Sequence, residues 1–280
     1  MSNKKVWFVT GASKGLGLSL VKRLLNEGYQ VAATSRSLSD LTKAVGSQSE
    51  QFLPLVMNIK NEESVQNAIE LTISTFGKID VVVNNAGYGL VGGLEELTDA
   101  ELRDNFEVNV FGSLNVIRKA LPYLREQQSG HILNISSIAG FTGSFPGFGI
   151  YCATKFAVNG FSESLAEEVR PFGIKVTIVQ PGYFRTNFLS EGSLITPKNP
   201  IAAYQNVRDI QDFHQNSMDQ QQVGDPEKAA EAMIRIANAP EAPLNLFLGA
   251  DAYELANKKI AAVQSDLENW KELTTSTAIA

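Results

Sequence analysis

The chain has 280 residues, 44% of them hydrophobic, and a formal net charge of -6 at pH 7. That length and apolar content can bury one sizeable core, so a single domain over 1–280 is expected. The acidic balance offers no basic stripe for nucleic acid, and Lys4-Lys5 is too small a cluster to change this.

The first apolar run, at 6–10, breaks at Gly11, too early for the core of a signal peptide or a membrane span, so a cytoplasmic protein that does not enter membranes is expected. Strand-like runs rich in β-branched residues recur at 30–35, 52–58, 79–84, 131–136, 175–180 and 244–249, which makes seven strands. Helix-period segments lie between them. After the first strand, Leu16, Leu20 and Leu24 repeat every four residues, Val21 and Leu25 widen the stripe, and Gly28 offers a left-handed stop. The segment 62–76 repeats this design with Val65, Ile69, Ile73 and Phe76 on one face and Gly77 behind it. Nearly continuous apolar strands alternating with such helices predict a doubly wound α/β domain of Rossmann type, with a seven-stranded parallel sheet covered on both faces. The stretch 183–225 is too long for a plain connection and reads as a lid over a binding site. The stretch 253–280 reads as a polar helical extension with a frayed Ser/Thr-rich end.

Single residue types narrow the chemistry. Cys152 is the only cysteine, so an internal disulfide framework is excluded. His131 and His214, the only histidines, lack metal-ligand spacing, which disfavours a zinc site or a Ser-His-Asp hydrolase; no metal is expected. One sits at a strand start and the other in a polar stretch read as loop.

The turn TGASKGLG at 10–17 leaves a strand and opens a helix. Such a turn presents backbone N–H groups and the positive helix end, and its glycines let a pyrophosphate approach, so a nucleotide is its natural occupant. An acidic residue about twenty positions on normally holds the ribose 2′-hydroxyl of NAD. Here Ser35 and Arg36 stand in that region and Asp40 comes too late. An arginine with a hydroxyl beside it suits a 2′-phosphate, and Lys14 adds a second cation, so NADP is favoured over NAD.

Tyr151 and Lys155 are four residues apart and share a helix face. A fixed cation favours the phenolate and draws a tyrosine down from its free pKa of about 10, toward proton transfer at neutral pH. Upstream, the strand at 131–136 runs into Ser136-Ser137, at the sheet edge where open α/β folds place ligands, and a serine there can hydrogen-bond a carbonyl. Asn109 falls on an apolar stripe with Leu102 and Phe106, where its amide needs a partner; a helix-to-helix bond is one explanation.

Taken together, TGASKGLG, Asn84-Asn85-Ala86-Gly87, Asn109, the serine pair, YCATK and Pro181-Gly182 resemble, in order, the short-chain dehydrogenase/reductases, over residues 5–249. The resemblance implies a catalytic tetrad of Asn109, Ser137, Tyr151 and Lys155, with Ser136 as the alternative serine. It implies a cofactor site at Gly11, Ser13, Lys14, Gly15, Leu16 and Gly17, at Ser35 and Arg36, at Asn58 and Ile59, and at Asn85, Ala86 and Gly87. Tyr151 and Lys155 also touch the cofactor in this scheme, and Pro181, Gly182, Phe184 and Thr186 line its nicotinamide side. Asn58 stands where the family usually carries Asp. The implied activity is NADPH-dependent carbonyl reduction: a hydride passes to a carbonyl carbon, Tyr151 donates the proton, Lys155 lowers the tyrosine pKa and holds the ribose, Ser137 orients the carbonyl, and Asn109 keeps a water in the proton relay. Cys152 reads as a packed neighbour of Tyr151. A homo-oligomer, dimer or tetramer, is implied as well.

Two rival readings remain at this level. One is a dinucleotide-sensing regulator without chemistry, which would need neither Tyr151 nor Lys155. The other is a sugar-nucleotide epimerase or dehydratase, which would need a larger carboxyl-terminal domain than the lid supplies. The lid carries Phe184, Phe188, Leu189, Leu194, Ile195, Tyr204 and Phe213 with few charges, and Phe145, Pro146 and Phe148 precede Tyr151. This wall fits a small, uncharged, partly apolar ketone, aldehyde or secondary alcohol.

Overall fold

A computed structural model of the chain describes residues 4–190, 193–218 and 221–279. Residues 1–3, 191, 192, 219, 220 and 280, which fall in the expected domain, lid and tail ranges, lie outside the described residues. In chain order the elements are β1 (Val6–Val9), α1 (Gly15–Asn26), β2 (Gln30–Ser35), α2 (Leu38–Val45), β3 (Phe52–Val56), α3 (Glu62–Phe76), β4 (Val81–Asn84), β5 (Gly89–Leu90), α4 (Asp99–Phe106), α5 (Gly112–Gln127), β6 (Gly130–Ile135), α6 (Gly149–Val169), β7 (Ile174–Pro181), β8 (Leu194–Ile195), α7 (Gln205–Asp212), α8 (Pro226–Asn238), β9 (Asn245–Leu248), α9 (Ala250–Asn269) and α10 (Lys271–Thr275).

The apolar runs are continuous because both sheet faces are covered. Phe8 and Val82 enter one core with Val65 and Ile69 of α3, Val116 of α5 and Leu165 of α6. Their neighbours Trp7, Val9, Val81 and Val83 enter the other, against Leu20, Val21 and Leu24 of α1, Leu41 of α2 and Met233 of α8. The sheet order is β3-β2-β1-β4-β6-β7-β9, with every pair parallel. The doubly wound α/β fold read from the sequence is therefore the fold observed. Strand limits shift by one or two residues, and Pro54, which has no N–H to give, is tolerated because β3 is an edge strand. The helix read at 62–76 is α3, with Asn61 accepting a hydrogen bond from the Ser64 N–H at 2.8 Å and Gly77 closing it at φ +81°.

Strand order reverses between β1 and β4, which lie side by side. This opens the crevice at their carboxyl ends where open α/β sheets hold ligands. The stretch read as a lid contains more regular structure than a loop: β8 pairs in parallel with β5, and α7 runs into a widened helical turn at Phe213–Met218. A two-residue strand carries no sequence period of its own, which is why β5 and β8 were not legible. His214, read as a loop residue, lies buried in that widened turn. At the other end α9 packs through Ala252 and Ala256 onto Ile138 and then projects into solvent. Among the described residues no helix is long and apolar enough to cross a membrane.

Candidate active site

The glycine turn is held from below by the segment after β4. Asn85 Nδ2 donates to the carbonyls of Thr10 and Gly11, both at 2.9 Å, and the N–H groups of Asn85 and Ala86 donate to Thr10 Oγ1 at 3.0 Å. Gly11 has φ +65°, and a Cβ there would stand 2.7 Å from Ala86 Cα, so this glycine serves the protein's own packing. Gly17 packs inward too, onto the Asn85 amide, and does not line the crevice. Gly15 is the glycine with open space above it, its nearest neighbour being Thr186 at 3.8 Å. Lys14 at the N-cap of α1 makes no capping bond with its side chain, and the first turn carries no acidic residue. The positive helix end is thus offered to the crevice, and these residues fit the diphosphate of a dinucleotide.

Around this turn Ser35 Oγ donates to Ser13 Oγ at 3.2 Å. Arg36 is exposed and makes no ion pair among the described residues. Lys14, expected to add a second cation, donates to Ser193 Oγ in the stretch read as a lid at 2.6 Å. Asn58 Oδ1 accepts from the Lys60 N–H, and Ile59 lies buried beside it.

The chemical end is built by β6 and α6. Both serines line the crevice, but the Ser136 hydroxyl is engaged by the Lys155 carbonyl at 3.2 Å, whereas Ser137 opens a short helical turn, accepts from the Ala139 N–H at 3.1 Å and lies close enough to the Tyr151 phenol to lower its pKa. Of the two serines, Ser137 is the one beside the phenol. Tyr151 and Lys155 project from α6 one turn apart, 7% and 6% exposed. Lys155 Nζ donates to the Ile135 carbonyl at 2.9 Å and lies 5.8 Å from the centre of the Tyr151 ring. Burial dominates both groups: it raises the Tyr151 pKa above the ordinary tyrosine value, with the Ser137 bond opposing, and lowers Lys155 to about 8. A phenol already drawn down by its lysine is therefore not what the site displays: burial sets the direction, and Ser137 is the neighbour that opposes it. Burial also pushes the Cys152 thiol up to about 11, and Cys152 is absent from the crevice wall, a packed neighbour as read.

Asn109 sits behind this wall in a widened turn at Glu107–Phe111 between α4 and α5. Its Nδ2 donates to the Tyr88 carbonyl at 3.0 Å and to Thr154 Oγ1 at 3.1 Å, while its Oδ1 accepts from the Tyr88 N–H at 3.0 Å. The helix-to-helix bond anticipated as one explanation is thus present, through Thr154 of α6.

One crevice of about 770 Å³ joins these parts, a size suited to a cofactor with a small substrate. Among the expected residues, Gly11, Ser13, Lys14, Gly15, Leu16, Ser35, Arg36, Asn58, Ile59, Asn85, Ala86, Gly87, Ser137, Tyr151, Lys155, Pro181, Gly182, Phe184 and Thr186 line it. Phe145, Phe148, Phe188, Leu189 and Ile195 supply apolar wall. Pro146, Leu194, Tyr204 and Phe213 do not reach it: Leu194 packs on Gly89, Tyr204 bonds Glu95, and Phe213 faces solvent. Sequence reasoning missed Tyr183, His214 and Gln222, which line the crevice from the stretch 183–225. Only their place within 183–225 could have flagged them. Among the described residues no cluster of side chains could hold a metal ion.

Known proteins share this arrangement. The family profile described as short chain dehydrogenase matches residues 5–193. The oxidoreductase BOA17 of Botryotinia fuckeliana is 36% identical over 275 residues, covering 98% of this chain and 99% of that protein. The crystal structure of a short-chain dehydrogenase from Streptomyces avermitilis superimposes with a TM-score of 0.90 at 37% identity, each chain covered completely. The structure of ElxO with NADP bound follows at a TM-score of 0.73 and 27% identity, covering 90% of this chain and 99% of that one. With the crevice at the strand reversal and a profile match over 5–193, the chain belongs to the short-chain dehydrogenase family of oxidoreductases.

Proposed function

We propose that this oxidoreductase is an NADPH-dependent carbonyl reductase for an uncharged, partly apolar ketone or aldehyde, running in reverse on the secondary alcohol. The observation that carries this reading is the Ser137–Tyr151–Lys155 cluster at the end of β6, in the same wall as the uncapped start of α1. A nicotinamide dinucleotide, when bound, supplies or accepts the hydride. Ser137 hydrogen-bonds the substrate carbonyl and sets its orientation. Tyr151 gives its proton to that oxygen, and the Lys155 ammonium stabilises the phenolate left behind. Lys155 also takes a ribose hydroxyl, and Asn109, its amide already occupied, is assigned the relay water through a spare carbonyl lone pair. The rest of the cofactor set keeps the assignments given above, with Gly17 acting by packing the turn.

The experiment is NADPH consumption by purified protein against aryl, aliphatic and β-keto ester ketones. Turnover supports the reductase; tight NADPH binding with no turnover on any of them favours the sensing regulator. The preference for NADP rests on Arg36, an exposed cation, and on the lack of a carboxylate at the end of β2. Arg36→Asp is expected to lower the NADPH/NADH ratio of kcat/KM by about 100-fold, since it removes a cation and adds a repulsive charge. An unchanged ratio would show that Arg36 does not read the 2′-phosphate.

The lid range 183–225, the tail range 253–280, a cytoplasmic location and a homo-oligomer belong to the same proposal. With Cys152 as its single cysteine the chain builds no internal disulfide, which agrees with such a location. For the oligomer, Ile260, Val263, Leu267 and Trp270 form an exposed seam with three- and four-residue spacing on the projecting part of α9 and just beyond it. Leu267→Glu with Trp270→Glu should lower the mass measured by light scattering, and an unaltered mass would take the seam out of the assembly.

A further inference from the structure

Gln222 is 1% exposed and lies in the crevice wall, yet neither its Nε2 nor its Oε1 has a partner among the described residues. Leaving both ends of an amide unpaired in a sealed position is costly, and an apolar side chain of similar volume would avoid the cost. The backbone beside it runs along the start of the lid: the Gly224 N–H donates to the Tyr183 carbonyl at 3.0 Å, Phe184 bridges Gly224, and Arg185 Nε donates to the Gln222 carbonyl at 3.2 Å. Tyr183 and Gln222 therefore share one corner.

The polarity of Tyr183 is set by its neighbour. His214 Nδ1 lies 2.7 Å from the Ile210 carbonyl, which can only accept, so Nδ1 carries the hydrogen. Burial lowers the His214 pKa and keeps the ring neutral, so Nε2 is an acceptor. The Tyr183 hydroxyl, 2.9 Å from Nε2, must then donate to it, and its oxygen lone pairs are left for a donor from the crevice. The corner connects to Tyr151 through rings: His214 packs tilted against Phe148, with centroids 4.9 Å apart, and Phe148 meets Tyr151 edge-on at 6.3 Å.

We propose that Tyr183 and Gln222 form a second polar subsite in the lid, which binds a hydroxyl group of the carbonyl substrate, so that the preferred substrate is an amphiphilic hydroxy-ketone. A hydroxyl satisfies both partners at once, donating to Tyr183 Oη and accepting from Gln222 Nε2. A carboxylate has no hydrogen for Tyr183, and an ammonium could use only the acceptors, Tyr183 Oη and Gln222 Oε1, leaving Nε2 unpaired and placing a full charge in a buried corner. This rests on the carbonyl-reductase reading and narrows its substrate class.

The test measures binding by calorimetry to NADPH-loaded Tyr151→Phe protein, in which the proton donor is removed. The probes are decan-2-one and its monohydroxy analogues at positions 1, 3, 4 and 5. At least one analogue is expected to bind tenfold or more tightly than decan-2-one. The ratio should fall to about 1 when Gln222→Leu is added and drop at least threefold with Tyr183→Phe, and Gln222→Leu should melt no lower than its parent. The proposal is overturned if no analogue binds more tightly than decan-2-one, or if Gln222→Leu leaves the ratio unchanged, whatever its melting temperature. Wild-type NADPH consumption on the same compounds tests the reductase reading separately, because the binding ratios do not depend on turnover.

Discussion

Tyr151→Phe is expected to lower reductase kcat by at least about 10³-fold while NADPH affinity stays within about threefold. The ring remains packed against Phe148 at 6.3 Å and Phe188 at 5.8 Å, so the crevice wall keeps its shape. Only the hydroxyl is lost, and with it the proton donor to the carbonyl oxygen. Because burial raises the Tyr151 pKa, the wild-type phenol holds its proton throughout the neutral range, which suits an acid in the direction of reduction. A variant that keeps more than a tenth of the wild-type kcat, measured by single-turnover NADPH oxidation, would remove Tyr151 from the mechanism.

Lys155→Met should abolish turnover to a similar degree and yet stabilise the protein at neutral pH. Burial holds the Lys155 pKa at about 8 against 10.5 for the free side chain, so at pH 7 the folded protein carries an ammonium that it accommodates poorly. The difference corresponds to roughly 3 kcal/mol, partly offset in the variant by the Ile135 carbonyl, which loses its donor at 2.9 Å. Between pH 8 and 10.5 the unfolded chain binds more protons at this residue than the folded one, so wild-type stability at this group rises with pH; the penalty is full below 8 and gone above 10.5. The melting temperature of Lys155→Met should therefore exceed that of wild type at pH 7, with the gap closing toward pH 10. A gap that is absent at pH 7, or that widens with pH, would contradict a lysine destabilised by burial. In the wild type, kcat/KM for reduction should fall on the basic side with an apparent pKa near 8, as the ammonium that supports the phenolate is lost.

How much of this was legible before the fold was known differs from residue to residue. The glycine turn, Tyr151 and Lys155, the serine pair and the seven strands could be read because their signals are local: a strand period, a helix spacing of four, a turn that needs glycine. Even there the roles of the individual glycines were hidden, since Gly11 and Gly17 answer to Ala86 and Asn85, more than sixty residues away. Asn109 was visible as a polar residue on an apolar stripe, but its partners Tyr88 and Thr154 come from other elements.

By itself, then, the sequence determined the layer architecture and the place of the crevice and pointed to residues that stand in its wall, because hydrophobic period and turn chemistry act between near neighbours. The tertiary structure alone decided the state of those residues and the course of the stretch 183–225. Desolvation of Tyr151 and Lys155 depends on what closes over them, and the pairing of β5 with β8, the Lys14–Ser193 bond and the Tyr183–His214–Gln222 corner join segments that carry no periodic signal. Burial and hydrogen bonding between distant segments are properties of the packed chain, and no window of the sequence contains both partners.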